Sequence, residues 1–108
     1  MINNETENKI NEMLSNYFIE SCYAIKSVNQ HLDVIKNIAL GIYASQKKGG
    51  KVIIGGNGGS CADAQHFAGE LTCTYKDPNR SAFSAVSMTT NASAITAWAN
   101  DFGFNSFF

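Results

Sequence analysis

Chemistry is most legible in Gly55-Gly56-Asn57-Gly58-Gly59-Ser60. Four glycines let the backbone approach a ligand closely and adopt positive φ. Ser60 then opens a helix, whose first N–H groups have no internal partners. An anion placed there collects those donors and the positive end of the dipole. Asn57 and Ser60 add side-chain hydrogen bonds. The segment reads as a cradle for a phosphate or sugar hydroxyl, with an ordinary tight strand-to-helix turn as the plain alternative. It is not a Walker loop, because no Gly-Lys-Ser/Thr follows. It is not a dinucleotide fingerprint either: Gly56-Asn57-Gly58-Gly59-Ser60-Cys61 lacks the third glycine, and no acidic residue ends a second strand suitably.

The next signal lies one helix further on. His66 and Glu70 are four residues apart, so on a helix they share a face with Cβ atoms about 5–6 Å apart. Imidazole and carboxylate at that spacing can hold one metal ion, given one or two more ligands from elsewhere. Equally, the carboxylate can act as a base that the His orients, or the two can be a surface pair with no further role. Asp63, one turn earlier, either steadies a ring nitrogen or complements the helix dipole. Asn100 and Asp101 precede Phe102-Gly103; they either contact sugar hydroxyls or form a helix C-cap and turn. His31 reads as solvated and Trp98 as packing.

Elements must position these groups. Ile10, Met13, Leu14, Tyr17, Phe18, Cys22 and Ile25 follow i, i+3, i+4 spacing, predicting an amphipathic helix over Glu5 to Ser27. A second, over Leu32 to Lys48, carries Leu32, Ile35, Ile38, Ala39, Ile42 and Tyr43 and is stopped by Gly49-Gly50. Lys51 to Gly55 has the form of a buried parallel strand. A helix from Cys61 to Leu71, turn chemistry at Lys76-Asp77-Pro78-Asn79-Arg80 and a second strand over Ala82 to Met88 follow. The loop 89–93 lies at the carboxyl end of that strand, the ligand edge of an open parallel sheet. Asn91 or Ser93 caps a last helix over Ala94 to Asn100. The order predicts an α/β doubly wound, flavodoxin-like parallel sheet. A helical hairpin over residues 1–48 precedes it, the α/β part occupies 49–108, and the sheet is incomplete.

Composition narrows the class. The chain has 108 residues, 44% apolar and 16% charged, with a net charge of −1. That balance suits a folded, soluble protein and gives no general attraction to nucleic acid or anionic lipid. No apolar run approaches the roughly 20 residues that span a bilayer, and the polar N-terminus lacks a signal-peptide core. Cys22, Cys61 and Cys73 show no CxxC spacing; reduced thiols in a cytoplasm, serving as small buried fillers, are the simplest reading. The chain ends on Phe107-Phe108, a pair that wants a surface to bury against. A truncated chain, or one completed by oligomerising, is expected.

Taken together, Gly56-Asn57-Gly58-Gly59-Ser60, Ala62-Asp63-Ala64-Gln65-His66-Phe67-Ala68-Gly69-Glu70-Leu71, Met88-Thr89-Thr90-Asn91-Ala92-Ser93 and Ala99-Asn100-Asp101-Phe102-Gly103-Phe104 resemble, in order and spacing, the sugar isomerase (SIS) family and, within it, the phosphoheptose isomerases. The resemblance covers the first half or so of a typical member. It implies substrate binding by Asn57, Gly58, Gly59, Ser60, Asn100 and Asp101. It implies Glu70 as catalytic base and, with His66, as a zinc ligand. The other ligands, a Gln and a His, and a Ser/Thr-rich phosphate loop lie in the second half of such proteins. Two departures stand out. The family's Gly-Arg-aromatic step after the catalytic Glu is Cys73-Thr74-Tyr75 here, and the acidic residue usual after the Thr-Thr pair is Asn91.

The reaction implied by the resemblance interconverts sedoheptulose 7-phosphate and D-glycero-D-manno-heptose 7-phosphate through an enediol, for lipopolysaccharide or capsule heptose. A homotetramer with sites shared between chains is implied as well. Two other readings stand beside it: a non-catalytic SIS binding module, similar to a replication-initiation regulator, and a shortened isomerase that catalyses nothing. Retention of both His66 and Glu70 argues against the first. The expected geometry aims the glycine turn's amides at a sugar phosphate with Glu70 in reach of its reacting carbons.

Overall fold

The computed structural model describes residues 3–108. They fall into two compact units, one ending at Ala39 and one spanning Leu40–Phe108.

In the first unit, α1 (Asn4–Ser27) is capped by Asn3, whose Oδ1 accepts the Thr6 amide at 2.8 Å. Glu5 and Glu7 occupy its first turn and Lys26 its last, each sign at the dipole end that favours it. The predicted apolar stripe is present, yet Met13, Leu14, Tyr17, Phe18 and Ile25 are all exposed, and α1 buries no residue. A short 3₁₀ turn, Val28–His31, leads into α2 (Leu32–Lys47). Ser27, Val28 and Leu32 all keep right-handed helical dihedrals at this link.

In the second unit, α2 ends in a turn where Gly49, at φ +75°, accepts the left-handed conformation that stops a helix. β1 (Val52–Ile54) and β2 (Ala85–Ser87) pair in parallel, with Val52 opposite Ala85 and Ile54 opposite Ser87. Parallel neighbours need a crossover, and α3 (Gly59–Thr72) supplies it, packing on both strands. The helix approaches closely because its inner face is small: Ala64 and Ala68, one turn apart, are the buried apolar residues of the described chain. Ser87 is buried too, and its hydroxyl is satisfied by Thr89 Oγ1 at 3.0 Å. After a 3₁₀ turn at Met88–Thr90, α4 (Ala92–Phe102) begins under Asn91, whose Oδ1 accepts the Ala94 amide at 3.0 Å.

The expected α/β order and parallel strand pair are present. The strands are shorter than the apolar runs suggested, while α3 and α4 start two residues earlier. Asn91, not Ser93, is the cap. The cysteine expectation needs correcting: Cys22 and Cys73 are exposed, Cys61 is half-buried, and all three are free thiols. Cys22 follows the uncovered α1 stripe outward, and Cys73 lies just past the end of α3, so neither fills a core. No helix of the described residues is long and apolar enough to cross a membrane.

Candidate functional site

The glycine turn is shaped by two steric demands. A Cβ on Gly56 would stand 2.3 Å from the Ser60 carbonyl oxygen, so only glycine lets the chain fold back this tightly. Gly58 has φ +57°, which is strained for any other L-residue. Gly58 is also the N-cap residue of α3 and offers no side-chain cap. The first amides of α3 are therefore left without a side-chain acceptor, as an anion cradle requires. Gly59 meets nothing within 4 Å at its Cβ position; its glycine is not demanded by packing.

A cavity of about 260 Å³ opens on this turn, lined by Asn57, Gly58, Cys61 and Thr89 and bordered by the rings of Phe104 and Phe108. Cys61 Sγ donates to Thr89 Oγ1 at 3.0 Å, and Thr89 in turn meets Ser87. A hydroxyl–thiol chain thus ties the start of α3 to the end of β2. The terminal aromatics pack edge to face on one another, Phe104–Phe108 at 5.9 Å and Phe107–Phe108 at 5.2 Å between centroids. Phe108 lies against Gly55, where a Cβ would meet its ring at 2.9 Å.

The predicted His66–Glu70 pair forms. Nε2 and Oε1 are 3.3 Å apart; the His66 side chain is 79% exposed and that of Glu70 33%. Both border a second cavity, about 610 Å³, together with Asp63 on α3 and Tyr75, Lys76 and Arg80 from the loop that follows. The structure therefore brings His66, Glu70 and Asp63 together, and separately Asn57 and Gly58. Within this chain it does not bring the two groups into one cavity. Helix geometry explains why. Ten residues separate Ser60 from Glu70, about 15 Å of rise along α3. Asn100 and Asp101, at the end of α4, bond to each other (Nδ2 to Oδ1, 2.9 Å) and line neither cavity.

In the loop 73–80, Cys73-Thr74-Tyr75 stood out only as a departure from the resembled pattern and Lys76 to Arg80 only as turn chemistry. The loop walls the Glu70 cavity, and it carries Tyr75 at φ +45°, the non-glycine residue of the described chain with positive φ. Its isolated arginine was the available signal. A lone Arg among Lys, Asp, Pro and Asn after a helix that lacks a glycine stop is a candidate for the helix's open carbonyls.

A glycine turn feeding an uncapped helix, a parallel strand pair, and an imidazole–carboxylate pair on the crossover helix define part of an α/β domain with a parallel sheet. No family model matches the chain, but individual proteins do. The phosphoheptose isomerase of Chlorobaculum parvum is 51% identical over 77 residues, 70% of this chain and 37% of that protein. That of Helicobacter pylori is 39% identical over 100 residues, 92% of this chain and 52% of the relative. The solved structure of phosphoheptose isomerase GmhA from Neisseria gonorrhoeae superposes with a TM-score of 0.78 at 36% identity, over 92% of this chain and 51% of that one. The chain is similar to phosphoheptose isomerases, and it spans about half the length, or less, of the relatives it matches.

Proposed function

We propose that this chain contributes the Glu70 and glycine-turn elements of an aldose–ketose isomerase acting on seven-carbon sugar phosphates, sedoheptulose 7-phosphate and D-glycero-D-manno-heptose 7-phosphate. The observation that carries the reading is the Glu70 carboxylate at a cavity wall, 3.3 Å from an imidazole, in a chain related to phosphoheptose isomerases.

Glu70 is the base. Starting from the ketose, its carboxylate takes a proton from C1, next to the C2 carbonyl. The C1–C2 enediolate forms with its charge on the C2 oxygen, a hydroxyl proton passes from the C1 oxygen to that oxygen, and Glu70 returns its proton to C2 as the carbonyl forms on C1. His66 orients the carboxylate. The uncapped amides of Gly59 and Ser60, with Asn57, bind the anionic or hydroxyl end of a sugar phosphate, and Asn100 and Asp101 supply further hydroxyl contacts. These two groups line different cavities of one chain, so a complete site needs a further segment or a second copy to bridge them. Exposed Tyr17 and Phe18 on α1 suit such an oligomer, a tetramer in this reading, and the setting is cytoplasmic heptose synthesis for surface polysaccharide.

Zinc fits this chain in part. His66 and Glu70 present two suitable donors on one helix face, while no cluster of three His, Cys, Asp or Glu side chains able to hold a metal occurs among the described residues. His66 and Glu70 would hold the ion jointly with donors from elsewhere. Bound there, zinc supplies Lewis-acid polarisation of the substrate oxygens.

The separation of the cavities also favours a second reading, a sugar-phosphate-binding chain without turnover. One experiment decides. Sedoheptulose 7-phosphate is incubated with the protein and with Glu70→Gln, and aldose formation is followed by NMR. Turnover by wild type that Glu70→Gln loses, with substrate affinity retained, is expected. Near-normal turnover by Glu70→Gln refutes the base. Saturable binding with no turnover by either protein establishes the second reading.

A further inference from the structure

We propose that Arg80 is the positioning residue for Glu70, a role that rests on the reading of Glu70 as the catalytic base. The last four carbonyls of any α-helix lack partners inside it. α3 ends without glycine: Cys73, its cap, is extended at φ −92°, ψ −170°, so no left-handed closure gathers those carbonyls. Arg80 gathers them instead. Its Nη2 donates to the Glu70 carbonyl at 2.9 Å and also to that of Cys73, and its Nη1 donates to the Leu71 carbonyl at 3.1 Å. A further bond from Nη1 to the Ser81 carbonyl, 3.0 Å, holds the guanidinium in its own turn. The cation lies 4.7 Å from the centroid of the Phe83 ring, and the Phe83 amide donates to Leu71 at 3.0 Å.

Three features make this more than a helix stop. The first is the identity of the carbonyl. Glu70's own C=O is fixed, and rotation of that peptide plane is what would swing the Cα–Cβ bond and the carboxylate away from His66. The second is the cavity. Arg80, Tyr75 and Lys76 line the same space as Glu70, so the residue that anchors the end of α3 also belongs to the wall of the cavity that the base faces. The third is the backbone at Tyr75. A non-glycine residue at φ +45° costs energy and persists only when its surroundings over-determine it, and the Arg80 bonds to Glu70, Leu71 and Cys73 span that loop. A planar fork with several donors is required, which lysine cannot reproduce.

The test uses the full chain with Arg80→Lys, Arg80→Gln and Arg80→Ala. Turnover of sedoheptulose 7-phosphate is measured beside urea unfolding. The Glu70 carboxyl ¹³C resonance, assigned by its loss in Glu70→Gln, is recorded at one pH. We expect kcat to fall at least about tenfold in Arg80→Gln and Arg80→Lys, since small displacements of a catalytic group are this costly. KM should stay within about twofold, the pattern of a lost transition-state interaction. Millimolar methylguanidinium should restore part of kcat in Arg80→Ala and return its Glu70 resonance toward the wild-type position. Lower stability with kcat per folded molecule unchanged overturns the proposal. If wild type itself shows no turnover, the reading of this chain as catalytically competent fails on its own and the resonance decides. A Glu70 signal unmoved by Arg80→Ala, or moved but insensitive to methylguanidinium, overturns the positioning role.

Discussion

The Gln46 side chain pairs with the backbone of Ser84 as a strand would: its Nε2 donates to the Ser84 carbonyl at 2.8 Å, and its Oε1 accepts the Ser84 amide at 2.8 Å. The last turn of α2 is thereby fastened to the residue that leads into β2, and the Ser84 carbonyl also receives the Val52 amide at 2.9 Å. Gln46→Ala removes both bonds and should lower stability by about 1–2 kcal/mol. Gln46→Glu keeps the acceptor, loses the donor and should fall between. Urea unfolding midpoints at a fixed slope check the order; equal stability of Gln46→Ala and wild type would show that water replaces the pair.

The glycines of the turn should separate into two kinds. Gly58→Ala places a side chain at φ +57° and should cost about 1–2 kcal/mol. Gly56→Ala should cost more, because its Cβ collides with the backbone of Ser60. Gly59→Ala meets nothing and sits in a helix, where it should gain about 0.5–1 kcal/mol. If the amides here bind a sugar phosphate, Gly59→Ala should nevertheless weaken that binding. Calorimetry with sedoheptulose 7-phosphate beside thermal unfolding separates the two effects.

Ala64 is the tightest point between α3 and the strands, 3% exposed. Ala64→Leu should destabilise by about 1–3 kcal/mol through overpacking, whereas Ala62→Leu, at an exposed position of the same helix, should change little. Similar losses in both would place the helix differently against the sheet.

Asn91 caps α4 through Oδ1. Asn91→Ala should cost about 1 kcal/mol, while Asn91→Asp keeps the acceptor and should be close to neutral. The departure from the family's acidic residue therefore changes charge beside the Thr89 cavity and leaves the cap intact. A stability loss in Asn91→Asp as large as in Asn91→Ala would contradict this.

Zinc binding should depend on both donors. Titration of the metal-free protein should show a binding heat that His66→Ala and Glu70→Gln each reduce strongly, with exposed His31 dispensable. Undiminished binding by His66→Ala would remove it from the ligand set.

Much of this was readable in the residues themselves. The period change at Lys51, the glycine turn and the i, i+4 spacing of His66 and Glu70 located α3 and its face, because each is a local rule. The ends of elements were less legible. Asn91 and Ser93 are both competent caps, and local sequence did not choose between them. The role of Arg80 was not legible because it acts across seven to ten residues on carbonyls, which carry no side-chain signature. The distance between the glycine turn and Glu70 was implicit in the helix rise but was masked by the expectation of a single pocket. Cys22 went wrong because its burial depends on what covers α1, and nothing in the described chain does; Cys73 went wrong because it lies just past the end of α3.

The β1–β2 ladder has a further implication. Among the described residues each of its two strands is paired on one side only, and Ile53 and Val86 are exposed. Half of the ladder's lateral hydrogen-bonding capacity is therefore available to any extended segment that arrives. Handled in isolation, the polypeptide should become turbid as its concentration rises, and short strand-forming peptides added in excess should keep it clear.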